Sequence, residues 1–130
     1  MRSLDPSAAY ALLQENPDAV LVDCRTEIEH MYVGHPVGAE HVAWQEGPDW
    51  AVDPEFADKV KRLLRNELSR PVLLICRSGQ RSADAGVALE AAGFTDVTNI
   101  VEGFEGALDE NYHRGNLGGW RFRGLPWQQS

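Results

Sequence analysis

Apolar residues in this chain come in short runs separated by polar turns. Val72–Ile75, opened by Pro71, reads as a strand buried on both faces. Ala19–Cys24 (AVLVDC) and Val97–Val101 (VTNIV) are two more such runs, and Ala39–Ala43 predicts a short strand after a turn at Gly34–Gly38. Between the runs the spacing becomes helical. Asp5-Pro6 is an N-cap followed by proline in the first turn, opening a helix to about Glu15 that Asn16-Pro17 ends. Thr26 and Glu29 have capping-box spacing, so a short helix follows the Ala19–Cys24 strand at once. Asp53-Pro54 repeats the N-cap signature and opens a helix to about Leu68, with Phe56, Val60, Leu63 and Leu64 on one face. The segment after Ser82 predicts a helix to about Ala92, with Val87, Leu89 and Ala91 leaning toward the core and Gly93 as its left-handed terminator.

A short last helix is expected from Gly103–Gly106. Trp44–Val52, which carries Gly47 and Pro48, reads as loop, and Glu110–Ser130 receives no regular structure. Strands alternating with helices predict an α/β fold of three layers, α/β/α. A parallel sheet of about five strands is covered by helices on both faces. One domain spanning 1–130 is expected, with an irregular tail from about 110.

Charge and composition remove several classes of function. The net charge is −8, and only two of the twelve basic residues are lysine. Nucleic-acid binding depends on a basic surface, so it is not expected. No apolar run approaches the ~20 residues of a membrane span, and the N-terminus lacks the apolar core of a signal peptide. A cytoplasmic location without membrane contact is the expectation. Two cysteines make no disulfide framework, and in a reducing compartment a loop cysteine is read as reactive.

The stretch Pro71–Ser82, PVLLICRSGQRS, carries the candidate chemistry. Its strand runs directly into Cys76 and then into a helix, so loop amides and a helix N-terminus surround the sulfur. Such groups favour thiolate over thiol. Gly79 supplies the φ freedom of a tight loop. Arg77 and Arg81 bring two permanent positive charges to the place where an anion enters. In parallel sheets ligands bind at the carboxyl ends of strands, where Cys76 falls.

At these residues the sequence resembles a family. CRSGQRS after a buried strand is similar to the active-site loop of rhodanese-type sulfurtransferases. LVDCR resembles the family's strand with its Asp-x-Arg ending. GHPVGAEHV resembles its Gly-His-Ile-Pro-Gly-Ala turn, with Pro36 one position early. VEGFEGAL resembles its Glu-Gly-Gly turn, with Phe104 in place of the second glycine, and GLPW its closing Gly-Leu-Pro. The likeness runs from about Leu4 to Trp127, with an insertion at Tyr112–Arg123.

The resemblance implies a rhodanese-like fold and a covalent mechanism. The Cys76 thiolate attacks the outer sulfur of a small anionic donor, thiosulfate or a persulfide, and carries that sulfur as a persulfide. It then passes the sulfur to a thiol, a protein thiol included, or to cyanide. Arg77, Ser78, Gly79, Gln80, Arg81 and Ser82 are the implied substrate contacts, and Asp23 and Arg25 the implied supports of the loop. No metal or organic cofactor is implied.

Many of these residues also read a second way. Cys76 reads as a small hydrophobe at a strand end, Ser82 as a helix cap, and Arg77 and Arg81 as solvated or paired with acidic neighbours. Asp23 and Arg25 read equally as a surface pair. Cys24 reads as an inert core thiol, or as a redox partner if its strand neighbours that of Cys76. His35 is read as holding its own turn, whereas His30, His41 and His113 look scattered. Trp44 and Trp50 read as pocket wall, core or partner surface. Two other functions stay open: a Cys-dependent phosphatase or arsenate reductase, and a non-catalytic sulfur carrier that docks on a partner. The first resembles a Cys-x5-Arg pattern, one residue longer than the Cys-x4-Arg from Cys76 to Arg81.

Overall fold

Val72–Ile75 is the middle strand of the molecule and is buried at all four positions. The computed structural model describes residues Met1–Ser130. In chain order it contains β1 (Arg2–Leu4), α1 (Pro6–Glu15), β2 (Val20–Asp23), a π-helical turn (Glu29–Val33), β3 (His35–Pro36) and β4 (Glu40–His41). There follow β5 (Gln45–Glu46), β6 (Ala51–Val52), α2 (Phe56–Leu63), β7 (Val72–Ile75), α3 (Gln80–Ala91), β8 (Val97–Ile100) and β9 (Trp127–Gln128). Five strands form one sheet in the order β1-β8-β7-β2-β4, and every neighbouring pair is parallel. No helix is long and apolar enough to cross a membrane.

Side-chain alternation along β7 builds both layers. Val72, Leu74 and Cys76 join Phe56, Val60, Ala85 and Leu89 in the core beneath α2 and α3. Leu73 and Ile75 face the other way, packing with Ala9 of α1, Ile100, Phe104 and Trp120. The expected three-layer arrangement is therefore present, with the β7 run apolar because both of its faces are covered.

Several local expectations fail for identifiable reasons. β1 pairs in register with β8, from Arg2↔Thr98 to Leu4↔Ile100, but three residues are too few to show a period. The helix expected from Asp53 starts only at Phe56, because the Asp53 carboxylate accepts the Glu55 amide at 2.9 Å and makes a turn first. It stops at Leu63, before the left-handed Arg65 (φ 54) and Asn66 (φ 64). α3 begins at Gln80 and buries Ser82, Ala85, Gly86 and Leu89 along one face, which turns Val87 and Ala91 to solvent. No helix follows Gly103. Glu102 (φ 70), Gly103 (φ 64) and Gly106 (φ 79) all lie in the left-handed region, and residues 101–105 are turn. Trp44–Val52 contains the small β5–β6 ribbon instead of plain loop.

The tail is mostly turns, yet it is packed. β9 pairs antiparallel with β3, at His35↔Gln128 and Pro36↔Trp127. Trp120 is 1% exposed, meets Tyr10 edge-on at 5.8 Å, and donates its indole N–H to the Pro126 carbonyl at 2.8 Å. Trp120→Ala is expected to cost about 3–5 kcal/mol, the range for emptying a buried aromatic site. Urea unfolding followed by circular dichroism measures this. An unchanged midpoint would show that the tail contributes nothing to the core.

Candidate active site

β7 ends in Cys76, and the chain turns there through Arg77 and Ser78 into α3. Gly79 makes the turn with φ at 103°, a conformation that L side chains rarely adopt. The Gly79 amide donates to Cys76 Sγ at 3.1 Å, and the Ser82 hydroxyl lies 3.2 Å from the same sulfur. Ser82 is fully buried, and its hydroxyl donates to Asn99 Oδ1 at 2.5 Å. The Asn99 amide nitrogen donates to the Gly79 carbonyl at 3.1 Å, which fixes the end of Asn99 that faces Ser82. Ser82 thus serves the sulfur from beneath and does not line the cleft above it.

The loop carbonyls face away from that cleft. Cys76 O accepts the Phe104 amide at 2.8 Å, and Arg77 O accepts those of Glu105 at 3.0 Å and Gly106 at 3.2 Å. A trans peptide sets its N–H opposite its C=O. The amides of Arg77 and Ser78 are therefore turned toward the cleft. Gly103 permits this docking, since a Cβ there would stand 2.5 Å from Cys76 O. The segment expected to start a helix is instead a backbone clamp on the cysteine loop.

Cys24 continues the β2–β7 ladder: its amide donates to Ile75 O at 3.0 Å, and its thiol meets the same carbonyl at 3.3 Å. Its sulfur also lies beside that of Cys76 in the same core. Hydrogen bonding from Cys24 is the largest influence on Cys76 and draws it down to about 5. Burial opposes this, while the Ser82 and Gly79 amides reinforce it. Cys24 is driven well above the usual thiol value by the same bond and by burial. The shifts diverge, so Cys76 is the more acidic sulfur of the two and Cys24 the one that keeps its proton.

Above Cys76 lies an open cleft of about 820 Å³ whose walls include Ser78, Gln80, Arg77, Arg114 and Trp50. Arg77 has no side-chain partner, and Arg114 donates only to the Gly106 carbonyl, at 2.8 Å. Arg81, expected to be a free anion ligand, is engaged instead. Its guanidinium grips Glu29 with two bonds of 2.7 and 2.8 Å and stands 6.0 Å from the Trp50 ring centroid. Glu29 also closes the capping box with Thr26, accepting the Thr26 hydroxyl at 3.0 Å and returning its own amide at 3.2 Å. Burial raises the Glu29 carboxyl, but the Arg81 bonds and charge outweigh it and hold the group below its ordinary value.

Asp23 and Arg25 form a completely buried pair, not a surface one. Arg25 Nε and Nη2 donate to the two carboxylate oxygens at 2.9 and 2.7 Å, and Nη2 also to the Gly34 carbonyl at 2.5 Å. Neither residue hydrogen-bonds the Cys76 loop. The guanidinium lies 4.6 Å from the Phe104 ring centroid, and Phe104 in turn holds Cys76 O. Burial pushes the Asp23 carboxyl up, but bonds from His30 and Arg25 hold it at about 2. His30, expected to be isolated, stacks on His35 at 3.8 Å and on His41 at 4.7 Å. His35 holds its turn through a 2.7 Å bond from Nδ1 to the His30 carbonyl. Trp44 parts from Trp50 and packs edge-on against Phe56 in the core. No group of three His, Cys, Asp or Glu side chains is placed to ligate a metal.

Sequence reasoning missed Glu29 as a partner of Arg81, Asn99 as a partner of Ser82, and Arg114 in the cleft. Only the Thr26–Glu29 spacing gave any signal, and it signalled a cap.

The family model for the rhodanese-like domain matches residues 5–110. A crystal structure of Rv0390 from M. tuberculosis superposes with a TM-score of 0.87 at 38% identity, covering 100% of this chain and 98% of that one. The solution structure of a polysulfide-sulfur transferase homodimer from Wolinella succinogenes superposes at a TM-score of 0.62 with 28% identity, covering 100% and 80%. The thiosulfate sulfurtransferase GlpE of Pseudomonas fluorescens is 31% identical over 104 residues, 80% of this chain and 82% of GlpE. With its parallel sheet, its strand-end cysteine loop and the turn that clamps the loop, this chain belongs to the rhodanese-like family.

Proposed function

We propose that the protein is a sulfurtransferase that moves a sulfane sulfur through a persulfide on Cys76. One observation carries the reading: a strand-end sulfur with its thiol drawn down to about 5 and the Gly79 amide at 3.1 Å, opening on a cleft walled by Arg77 and Arg114. The thiolate attacks the outer sulfur of thiosulfate; the S–S bond breaks and sulfite leaves with its electron pair. The charged outer sulfur of the resulting persulfide is received by the inward amides of Arg77 and Ser78. An acceptor thiolate or cyanide then takes that sulfur, and the Cys76 thiolate is restored.

Arg77, with Arg114, binds the anionic end of the donor, since both line the cleft and neither guanidinium has a carboxylate partner. Arg81 is a positioning residue that ties α3 to the turn after β2 through Glu29. Its engagement also counts against the phosphatase reading, which needs a free guanidinium over the sulfur to hold an oxyanion. Ser78 and Gln80 line the donor's path, while Gly79 and Ser82 act on the sulfur itself.

Intact mass spectrometry after thiosulfate treatment is expected to show one added sulfur on Cys76, removed by cyanide. Cys76→Ser is expected to abolish both the added mass and turnover; transfer that survives this substitution refutes the mechanism. Turnover of an aryl phosphate in place of sulfur transfer would favour the phosphatase.

The pH dependence follows from the direction of the Cys76 shift. Its value in the folded chain, about 5, is below the ordinary 9.0, so the reactive thiolate persists above pH 5 and is lost as pH falls through it. Alkylation by neutral iodoacetamide is expected to follow that midpoint. In Cys24→Val the midpoint moves upward, because the largest lowering influence is gone. A wild-type midpoint at the ordinary thiol value would contradict the assignment.

Arg77→Ala is expected to raise KM for thiosulfate about tenfold, the loss of one charge-assisted contact of about 1.5 kcal/mol, with kcat little changed. Arg81→Ala should instead lower kcat, because it frees Glu29 and loosens α3. Steady-state kinetics on the two variants separate these roles, and identical effects on KM would remove the distinction.

A further inference from the structure

Cys24 carries no sulfur in the transfer cycle, yet its placement is specific. β2 and β7 run parallel and in register up to Asp23↔Ile75, so the next residues on the two strands are Cys24 and Cys76. The ladder holds at that level, since the Cys24 amide still bonds Ile75 O at 3.0 Å. Both side chains lie on the same face of the sheet, in the core under α2 and α3. Adjacent strands are about 4.8 Å apart, within the roughly 4.4–6.8 Å between Cα atoms that a disulfide spans. Side-chain rotation, with little backbone movement, brings the two sulfurs into bonding range.

The two sulfurs differ in access and in charge. Cys76 lines the open cleft and is the thiolate, whereas Cys24 is completely buried and keeps its proton. Cys76 is 1% exposed, but it lines the floor of the cleft, and a low-pKa thiolate that a small hydroperoxide can reach is the form that is oxidised. Without a thiol at hand, its sulfenic acid goes on to sulfinic acid, which thiols do not reverse. Cys24 is the one other cysteine in the chain, and it lies against the sulfur that would be oxidised.

We propose that Cys24 is a resolving thiol that captures oxidised Cys76 as an intramolecular disulfide, with hydroperoxides as the oxidant class. In the first step the Cys76 thiolate attacks one peroxide oxygen. The O–O bond breaks, hydroxide (alkoxide from an organic hydroperoxide) leaves, and Cys76 becomes a sulfenic acid. In the second, the Cys24 sulfur attacks the Cys76 sulfur and the S–O bond breaks. The departing hydroxide takes the Cys24 proton as water. The two sulfurs together lose two electrons to the peroxide. An external thiol attacking from the cleft at the Cys76 sulfur releases Cys24 and leaves a mixed disulfide, and a second thiol then frees Cys76 as the external disulfide departs. The inference requires Cys76 to be a thiolate and holds whatever substrate the cleft takes.

The test is mass spectrometry of the full chain after brief exposure to limiting hydrogen peroxide. The wild type is expected to lose the mass of two hydrogens and to yield, on non-reducing digestion, a Cys24 peptide joined to a Cys76 peptide. Dithiothreitol should restore the original mass and free Cys76. In Cys24→Val, a substitution suited to a buried strand position, the same exposure at a pH above that variant's own alkylation midpoint should add two or three oxygens to Cys76 that dithiothreitol does not remove. Cys24→Ser is expected to behave as Cys24→Val does, so a folding defect in one variant leaves the other as the comparison. Sulfinic Cys76 forming equally fast in wild type and both variants, or a disulfide found only between molecules, overturns the proposal.

Discussion

A thiolate that is 1% exposed persists only if the donors around it replace the water it has lost. Everything near Cys76 answers that constraint. Gly79 and Ser82 turn their amides to the sulfur, and the Cys24 thiol lies beside it. The loop amides can face the cleft because the loop carbonyls are drawn the other way by Phe104, Glu105 and Gly106. Peptide planarity makes the two statements one. The turn after β8 is therefore as much part of the anion site as the loop itself, and Gly103 is where it meets that loop most closely. Any side chain there would push the clamp off Cys76 O and let the peptide planes swing.

Two ion pairs extend this control outward. Glu29 and Arg81 fix the start of α3 to the turn after β2, and Asp23 and Arg25 fix that turn to the strand it leaves. A fully buried pair such as Asp23–Arg25 adds little net stability, because desolvation offsets most of the attraction. What it does here is choose one arrangement. Arg25 has a carboxylate on one edge, the Gly34 carbonyl at its tip, and the face of Phe104 at 4.6 Å. Its Nη1 has no hydrogen-bond partner, and the aromatic face is the main compensation left to the guanidinium. Phe104 thus joins two systems: its ring supports Arg25 and its amide holds Cys76 O. A glycine at that position supplies the amide but no ring.

The layers and the nucleophile loop were legible because local chemistry specifies them. Asp5 caps α1 by accepting the Ala8 amide at 2.8 Å, as the Asp-Pro pair implied, and Thr26 with Glu29 makes the reciprocal bonds of a capping box. The apolar runs became β2, β7 and β8. Contacts between distant segments were not legible. Glu29 meets Arg81 across 52 residues, and nothing in its spacing to Thr26 announces a second partner. His30, His35 and His41 look scattered because their stack is made by a helical turn and two strands that meet only in the fold. β3 and β9, two residues each, have no periodicity to read. The glycines of GFEG were misread in kind: a cluster of left-handed residues, Glu102 among them, makes a turn that docks on other backbone.

The arrangement of charge around the cleft now has a definite logic. The chain carries −8 overall, but at physiological salt that field is screened beyond about 8 Å, so local groups govern an approaching anion. The strongest local repulsion comes from the nucleophile. Two like charges 4 Å apart at an effective dielectric of 20 repel by about 4 kcal/mol. Arg81 does little to offset this, because Glu29 neutralises it. The offset falls to Arg77 and Arg114, which wall the cleft without carboxylate partners, and to the inward amides of the loop. Fixed amides hold charge at the sulfur without extending far into the cleft, whereas the two arginines act on the end of the donor that stays outside. Attack on an anion by a thiolate is thereby divided between two sets of groups. One set keeps the nucleophile charged, and the other draws in a second negative charge beside it.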